Sequence, residues 1–93
     1  MAAEKIYARA AGFVAANLGD ELALLDMADG TYLGFNATAA HLWRLLDQPM
    51  TLEALCEAML AEFDVSPDQC RDEIAALLDR LAASGIVTID DVA

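Results

Sequence analysis

A chain of 93 residues that is 58% hydrophobic can bury one small core, so one domain is expected and disorder is excluded. Five Lys and Arg stand against sixteen Asp and Glu, a net charge of −11, which repels a phosphate backbone and suits a basic or weakly charged partner. No run approaches the ~18 apolar residues of a membrane span and the first twelve residues hold no signal-like apolar run, so a cytoplasmic protein with no membrane contact is expected.

Residues 1–12 are Ala-rich, carry Glu4, Lys5 and Arg9 and show no stable periodicity; they read as a flexible N-terminal arm or a frayed helix. Phe13 to Leu18 reads as a strand. Gly19-Asp20 follows as a two-residue hairpin signal, because Gly supplies the positive φ of a type II′ turn. Glu21 to Met27 returns. Counting back from the turn pairs Leu18 with Glu21, Ala16 with Ala23 and Val14 with Leu25, which share one face with Met27. Phe13, Asn17, Leu22, Leu24 and Asp26 share the other. Both faces are partly apolar, so the pattern leaves open which meets the core. Asp29-Gly30 closes a second hairpin loop and Thr31 to Phe35 forms a third strand, with Leu33 and Phe35 pointing one way and Tyr32 and Gly34 the other. A meander in this order leaves the third strand at an edge with unpaired N–H and C=O groups, where a peptide could add.

From residue 37 to 83 the pattern is helical. Asn36 is a good N-cap for a helix over Ala37–Asp47, able to accept from the N–H of Thr38 or Ala39; its apolar stripe is Ala39, Leu42, Trp43 and Leu46, and Gln48-Pro49 ends it. Thr51 caps the second helix, with Glu53 at the positive end of the dipole and Leu52, Leu55, Cys56, Met59, Leu60 and Phe63 as its stripe. Ser66-Pro67-Asp68-Gln69 starts the third: Ser as cap, Pro at the first position, Gln at the capping-box position. Its inner stripe is Cys70, Ile74, Leu77, Leu78 and Leu81, and Gly85 closes it. Ile86 to Ile89 is a short extended segment that could pair with the sheet. The expected class is α+β, a winged helix-turn-helix with a three-stranded antiparallel sheet followed by three helices. The domain spans residues 13–89, between the arm at 1–12 and a tail at 90–93.

Candidate chemistry is sparse. Cys56 and Cys70 are not at a zinc spacing and read as small buried apolar residues. His41 has no triad partners and reads as a surface or half-buried helix residue; Trp43 reads as core. Asn36-Ala37-Thr38 matches a glycosylation sequon, but without a secretory signal Asn36 reads as the cap. No nucleophile–base pair, metal cluster or phosphate loop is present, so no catalytic residue, metal or cofactor is expected.

The three-strand order followed by Tyr-Leu-Gly-Phe-Asn-Ala-Thr-Ala-Ala-His-Leu-Trp-Arg-Leu-Leu-Asp resembles the PqqD-like family. So do Thr-Leu-Glu-Ala-Leu, the Glu62-Phe63-Asp64-Val65 ending of the second helix and the Leu81-Ala82-Ala83-Ser84-Gly85-Ile86-Val87 close. The resemblance covers roughly Phe13 to Val87 and is a diffuse pattern of Leu, Gly and Asn positions. It implies a non-catalytic recognition element that binds the leader segment of a ribosomally made precursor peptide and presents it to a modifying enzyme, such as a leader protease or a radical enzyme. It also implies that the leader adds as a strand beside the third strand and lies in the cleft beside the third helix. Carried over, Thr31, Tyr32, Leu33, Gly34 and Phe35 are backbone partners, and Glu73, Ile74, Leu77, Leu78 and Arg80 face the peptide. The Tyr32–Asn36 segment and Trp43 look more like the stand-alone leader-binding proteins of lasso-peptide clusters. The members that act in pyrroloquinoline quinone biosynthesis usually carry an Arg-containing segment over the first two strands and an apolar-Pro-Glu stretch before the Asn; neither is here.

Strand addition draws affinity from main-chain hydrogen bonds and specificity from alternate side-chain pockets, and an acidic rim would steer a basic leader toward the groove. The alternatives are a peptide chaperone of pyrroloquinoline quinone biosynthesis, a winged-helix DNA-binding regulator and a dimerisation adaptor. The DNA reading is opposed by Asp68, Asp72, Glu73 and Asp79 against Arg71 and Arg80 on the helix that would enter the groove, so no nucleic-acid partner is expected. The expected oligomer is a monomer or weak homodimer.

Overall fold

The computed structural model describes residues 4–92 as two three-stranded antiparallel sheets and three helices. Residues 1–3 of the expected arm and residue 93 of the expected tail lie outside the described residues. In chain order the elements are β1 (Glu4–Arg9), β2 (Phe13–Leu18), β3 (Glu21–Asp26), β4 (Tyr32–Phe35), α1 (Ala37–Leu45), β5 (Met50–Thr51), α2 (Leu52–Glu62), α3 (Pro67–Ala83) and β6 (Val87–Val92).

The sheet that the sequence predicts is β2–β3–β4 in meander order. Its hairpin keeps the expected register, Leu18 opposite Glu21, Ala16 opposite Ala23 and Val14 opposite Leu25. Gly19 has φ +66° while Asp20 is not in the left-handed region, as a type II′ turn requires. The structure settles which face is inner: Leu22 and Leu24 are buried, with Phe35 beside them, while Val14, Leu18, Met27 and Tyr32 are exposed on the other side.

All three caps form as the sequence predicts. Asn36 Oδ1 accepts from Ala39 N–H (2.9 Å), Thr51 Oγ1 from Ala54 N–H (3.1 Å) and Ser66 Oγ from Gln69 N–H (3.2 Å). The reciprocal half of the capping box is absent, because the Gln69 side chain donates forward to Glu73 Oε1 (3.2 Å). Gly85 follows α3 at φ +77°. α1 packs over the inner face of β2–β3–β4, α2 packs between α1 and α3 and against β1, and α3 packs against α2 and β6, with Leu42, Trp43, Leu55, Met59, Ile74, Leu78 and Leu81 buried. Burial of each such side chain stabilises by roughly 1.5–3 kcal/mol against exposure.

The second sheet corrects the reading of the N-terminus. Residues 4–9, expected as part of an arm, form β1, the centre of a sheet ordered β5–β1–β6. β1 runs against β6 along its length, from Glu4 opposite Val92 to Arg9 opposite Val87, and against β5 at Ile6–Thr51 and Tyr7–Met50. The segment after Gly85 thus pairs with the N-terminal strand and not with β4. Tyr7 is buried in the common core. Arg9 fastens β1 to α1: Nε and Nη2 donate to the Trp43 carbonyl (3.0 and 2.7 Å), and the guanidinium lies 4.6 Å from the Trp43 ring centroid.

Candidate functional site

The free edge of β4 and the face of α3 beside it form the candidate site. Asp26 N–H donates to the Thr31 carbonyl (2.8 Å). Bonded and non-bonded pairs alternate along an antiparallel ladder, so the bonded pairs continue at Leu24–Leu33 and Leu22–Phe35. Tyr32 and Gly34 therefore turn their N–H and C=O groups away from β3, toward the side where the described residues place no strand. Of the five residues expected as backbone partners, these two offer free groups along the strand. Leu33 and Phe35 spend theirs on β3. Thr31 lies just before the strand, its N–H donating to Asp29 Oδ1 (3.0 Å) and its carbonyl accepting from Asp26, so its backbone is fully used in the turn.

The turn itself is built by carboxylates. Asp26 Oδ1 accepts from Ala28 N–H (2.9 Å), and Asp29 Oδ1 accepts from both the Thr31 hydroxyl (2.7 Å) and its N–H. The Thr31 hydroxyl first, and then its N–H, hold the Asp29 carboxyl below the usual carboxylate range.

Beside the edge lies an open groove of about 590 Å³ between β4 and α3. Leu33, Gly34 and Phe35 form one wall; Glu73, Ile74, Leu77 and Arg80 form the other. Leu33 is 38% exposed at its mouth, whereas Phe35 is buried and meets Trp43 edge-on at 6.2 Å between centroids. Tyr32 points to the outer face and is 70% exposed. Leu78 was expected to face the cleft and is instead wholly buried, one position and ~100° round the helix from Leu77. The groove also takes in Asn36, Thr38, Ala76, Ser84 and Ile86, which sequence reasoning missed. Extending the helical stripe Glu73–Leu77–Arg80 to Ala76 and Ser84 would have found two of them.

A smaller cavity of about 70 Å³ adjoins the groove, sharing Thr38, Glu73 and Ile74 with it and reaching Met59, Phe63, Val65 and Cys70. Phe63 is met edge-on by His41, 5.6 Å between centroids. Cys56 and Cys70 are both free and buried, and burial first, then the neighbouring Cys70, pushes the Cys56 thiol up. Among the described residues, Glu73 and Arg80 are the only charged ones lining the groove. Among the described residues no group of three or more His, Cys, Asp or Glu could hold a metal, and no helix is long and apolar enough to cross a membrane. The arrangement is a contact surface: an apolar trough flanked by unpaired backbone groups.

The family model of coenzyme PQQ synthesis protein D matches residues 21–87. Among solved structures the chain is similar to TbiB1 in complex with the TbiA(beta) leader peptide, at 28% identity and a TM-score of 0.78, covering 86% of this chain and 93% of that one. It is similar also to a lasso peptide synthetase B1 complexed with the leader peptide, at 26% identity and a TM-score of 0.74, covering 88% and 96%. No curated protein matches the chain.

Proposed function

The chain belongs to the family of coenzyme PQQ synthesis protein D, and on that premise we propose that it binds the leader of a ribosomally made precursor peptide, performs no catalysis itself and presents the leader to a modifying enzyme. The leader adds as a strand on β4. The observation that carries this reading is the open β4 edge, with Tyr32 and Gly34 offering backbone groups directly beside an apolar groove. Strand addition needs those two features together. Ile74 and Leu77 then receive the peptide side chains that point inward, and the net charge of −11 steers a basic leader toward the edge.

A lasso-type leader protease is the enzyme this reading favours, because both similar structures are leader complexes and one is a lasso peptide synthetase. The family description supports a second pathway, pyrroloquinoline quinone assembly, in which the partner would be a radical enzyme. Titrating the protein calorimetrically with the leader of the precursor encoded beside its own gene tests the binding. Leu33→Asp and Leu77→Glu each place a charge in the trough and are expected to weaken it on the order of 30-fold or more, with circular dichroism unchanged. Wild-type affinity in both folded variants would show that the groove is not the site.

A further inference from the structure

We propose, building on the leader-binding reading, that Arg80 receives an acidic side chain of the docked peptide, so that the groove selects an extended segment carrying Asp or Glu at one fixed position. Of the five cations in this acidic chain, Arg80 alone lines the groove. Arg9 is spent on Trp43, and Arg44 donates to Asn17 and to the carbonyls of Gly19, Asp20 and Glu21. Arg71 has Asp68 three residues back on the same helix. At the helical neighbours of Arg80, three and four residues away, stand Leu77, Ala76, Ala83 and Ser84, none of them acidic. Among the described residues the only ion pair joins Arg9 to Asp47. Among the described residues no carboxylate pairs with this guanidinium, which stands at the wall of an apolar trough.

A guanidinium suits a carboxylate because its planar fork donates two parallel bonds. Apolar walls on both sides displace water as the peptide docks, which strengthens the pair over one on an open surface. Glu73 lies two turns earlier, ~10.5 Å along the helix, where the groove meets the smaller cavity. The two wall charges therefore have opposite sign at separate points, and an acid placed at the Glu73 end is repelled. Because side chains of the added strand alternate, the acid shares parity with the inward apolar side chains and stands an even number of residues from them.

Selection from a displayed library of random 12-residue peptides tests this on the intact protein. The wild type is expected to enrich Asp or Glu at one position an even number of residues from an apolar anchor. Arg80→Glu is expected to weaken a selected peptide about tenfold or more and to select Lys or Arg at that position instead. Arg71→Glu, on the same helix and outside the groove, controls for net charge and should keep the acidic preference. Bound peptides without a fixed acid, or an acidic preference that survives Arg80→Glu, overturn the assignment of Arg80 and leave leader binding standing. No enrichment of any extended apolar peptide overturns both.

Discussion

The sheets β5–β1–β6 and β2–β3–β4 each have two edges and treat them differently. In the first, one edge strand is only two residues long and the other carries the exposed Asp90, two recognised ways of discouraging an incoming strand. In the second, neither β2 nor β4 holds a charged residue, so both edges are chemically open. β4 has the apolar groove described above beside it. Protection is thus present on both edges of the first sheet and missing on both edges of the second, where β4 alone is proposed to receive a strand. The β2 edge serves as a built-in control.

The largest effect that separates the two open edges should come from proline. The alternation that frees Tyr32 and Gly34 also turns Phe13, Ala15 and Asn17 outward on β2, since Met27 N–H donates to the Gly12 carbonyl. Gly34→Pro removes an outward N–H and leaves the β3 ladder intact; it should weaken leader binding about tenfold or more by fluorescence anisotropy, because the peptide carbonyl facing it loses its donor. Ala15→Pro makes the same deletion on β2 and should change affinity less than about twofold. Equal losses at both positions would mean that the groove contributes nothing to the choice of edge.

A smaller effect compares how the sheets are fastened to α1. Arg9 ties the closed sheet to it through a half-buried pair of bonds and a stacked ring; Arg44, on α1 itself, ties the open sheet by exposed bonds of 3.0–3.3 Å to the β2–β3 turn. Urea unfolding should show a loss of about 2 kcal/mol for Arg9→Ala and about 0.5–1 kcal/mol for Arg44→Ala. The Arg9–Asp47 pair at 4.0 Å adds little, as Asp47 is 81% exposed. A reversed order would place the firmer attachment on the peptide-binding side.

The smallest effect is one of pH. The folded Asp29 carboxyl sits below its unfolded value of 3.8, so its contribution to the β3–β4 turn is complete above that value and is lost as pH falls through the lower folded value. Amide exchange at Thr31 should accelerate only in that acidic window, and Asp29→Asn should abolish the dependence.

The features legible in the sequence were those fixed by neighbours a few residues apart. The Gly19 turn sets the hairpin register, and Asn36, Thr51 and Ser66 mark helix starts by bonds to N–H groups three residues on. β1 was not legible because its partner lies some 80 residues away and its alternate residues Lys5, Tyr7 and Arg9 mix cations with an aromatic. Arg9 can occupy such a position because its stem packs while its head finds the Trp43 carbonyl and ring. At the site, helical spacing found the correct side of α3 but could not separate Leu77 at the trough from Leu78 in the core. The alternation of backbone groups on β4, which singles out Tyr32 and Gly34, needed the phase of the ladder with β3.

The pairing of Glu4 with Val92 sets the two ends of the described chain on adjacent strands, about 5 Å apart at their Cα atoms. A short Gly-Ser bridge could therefore join them, and a new start could be cut at the exposed Gln48-Pro49 loop. Such a circular permutant would keep β4, α3 and the trough between them untouched, and would allow an enzyme to be grafted at the loop.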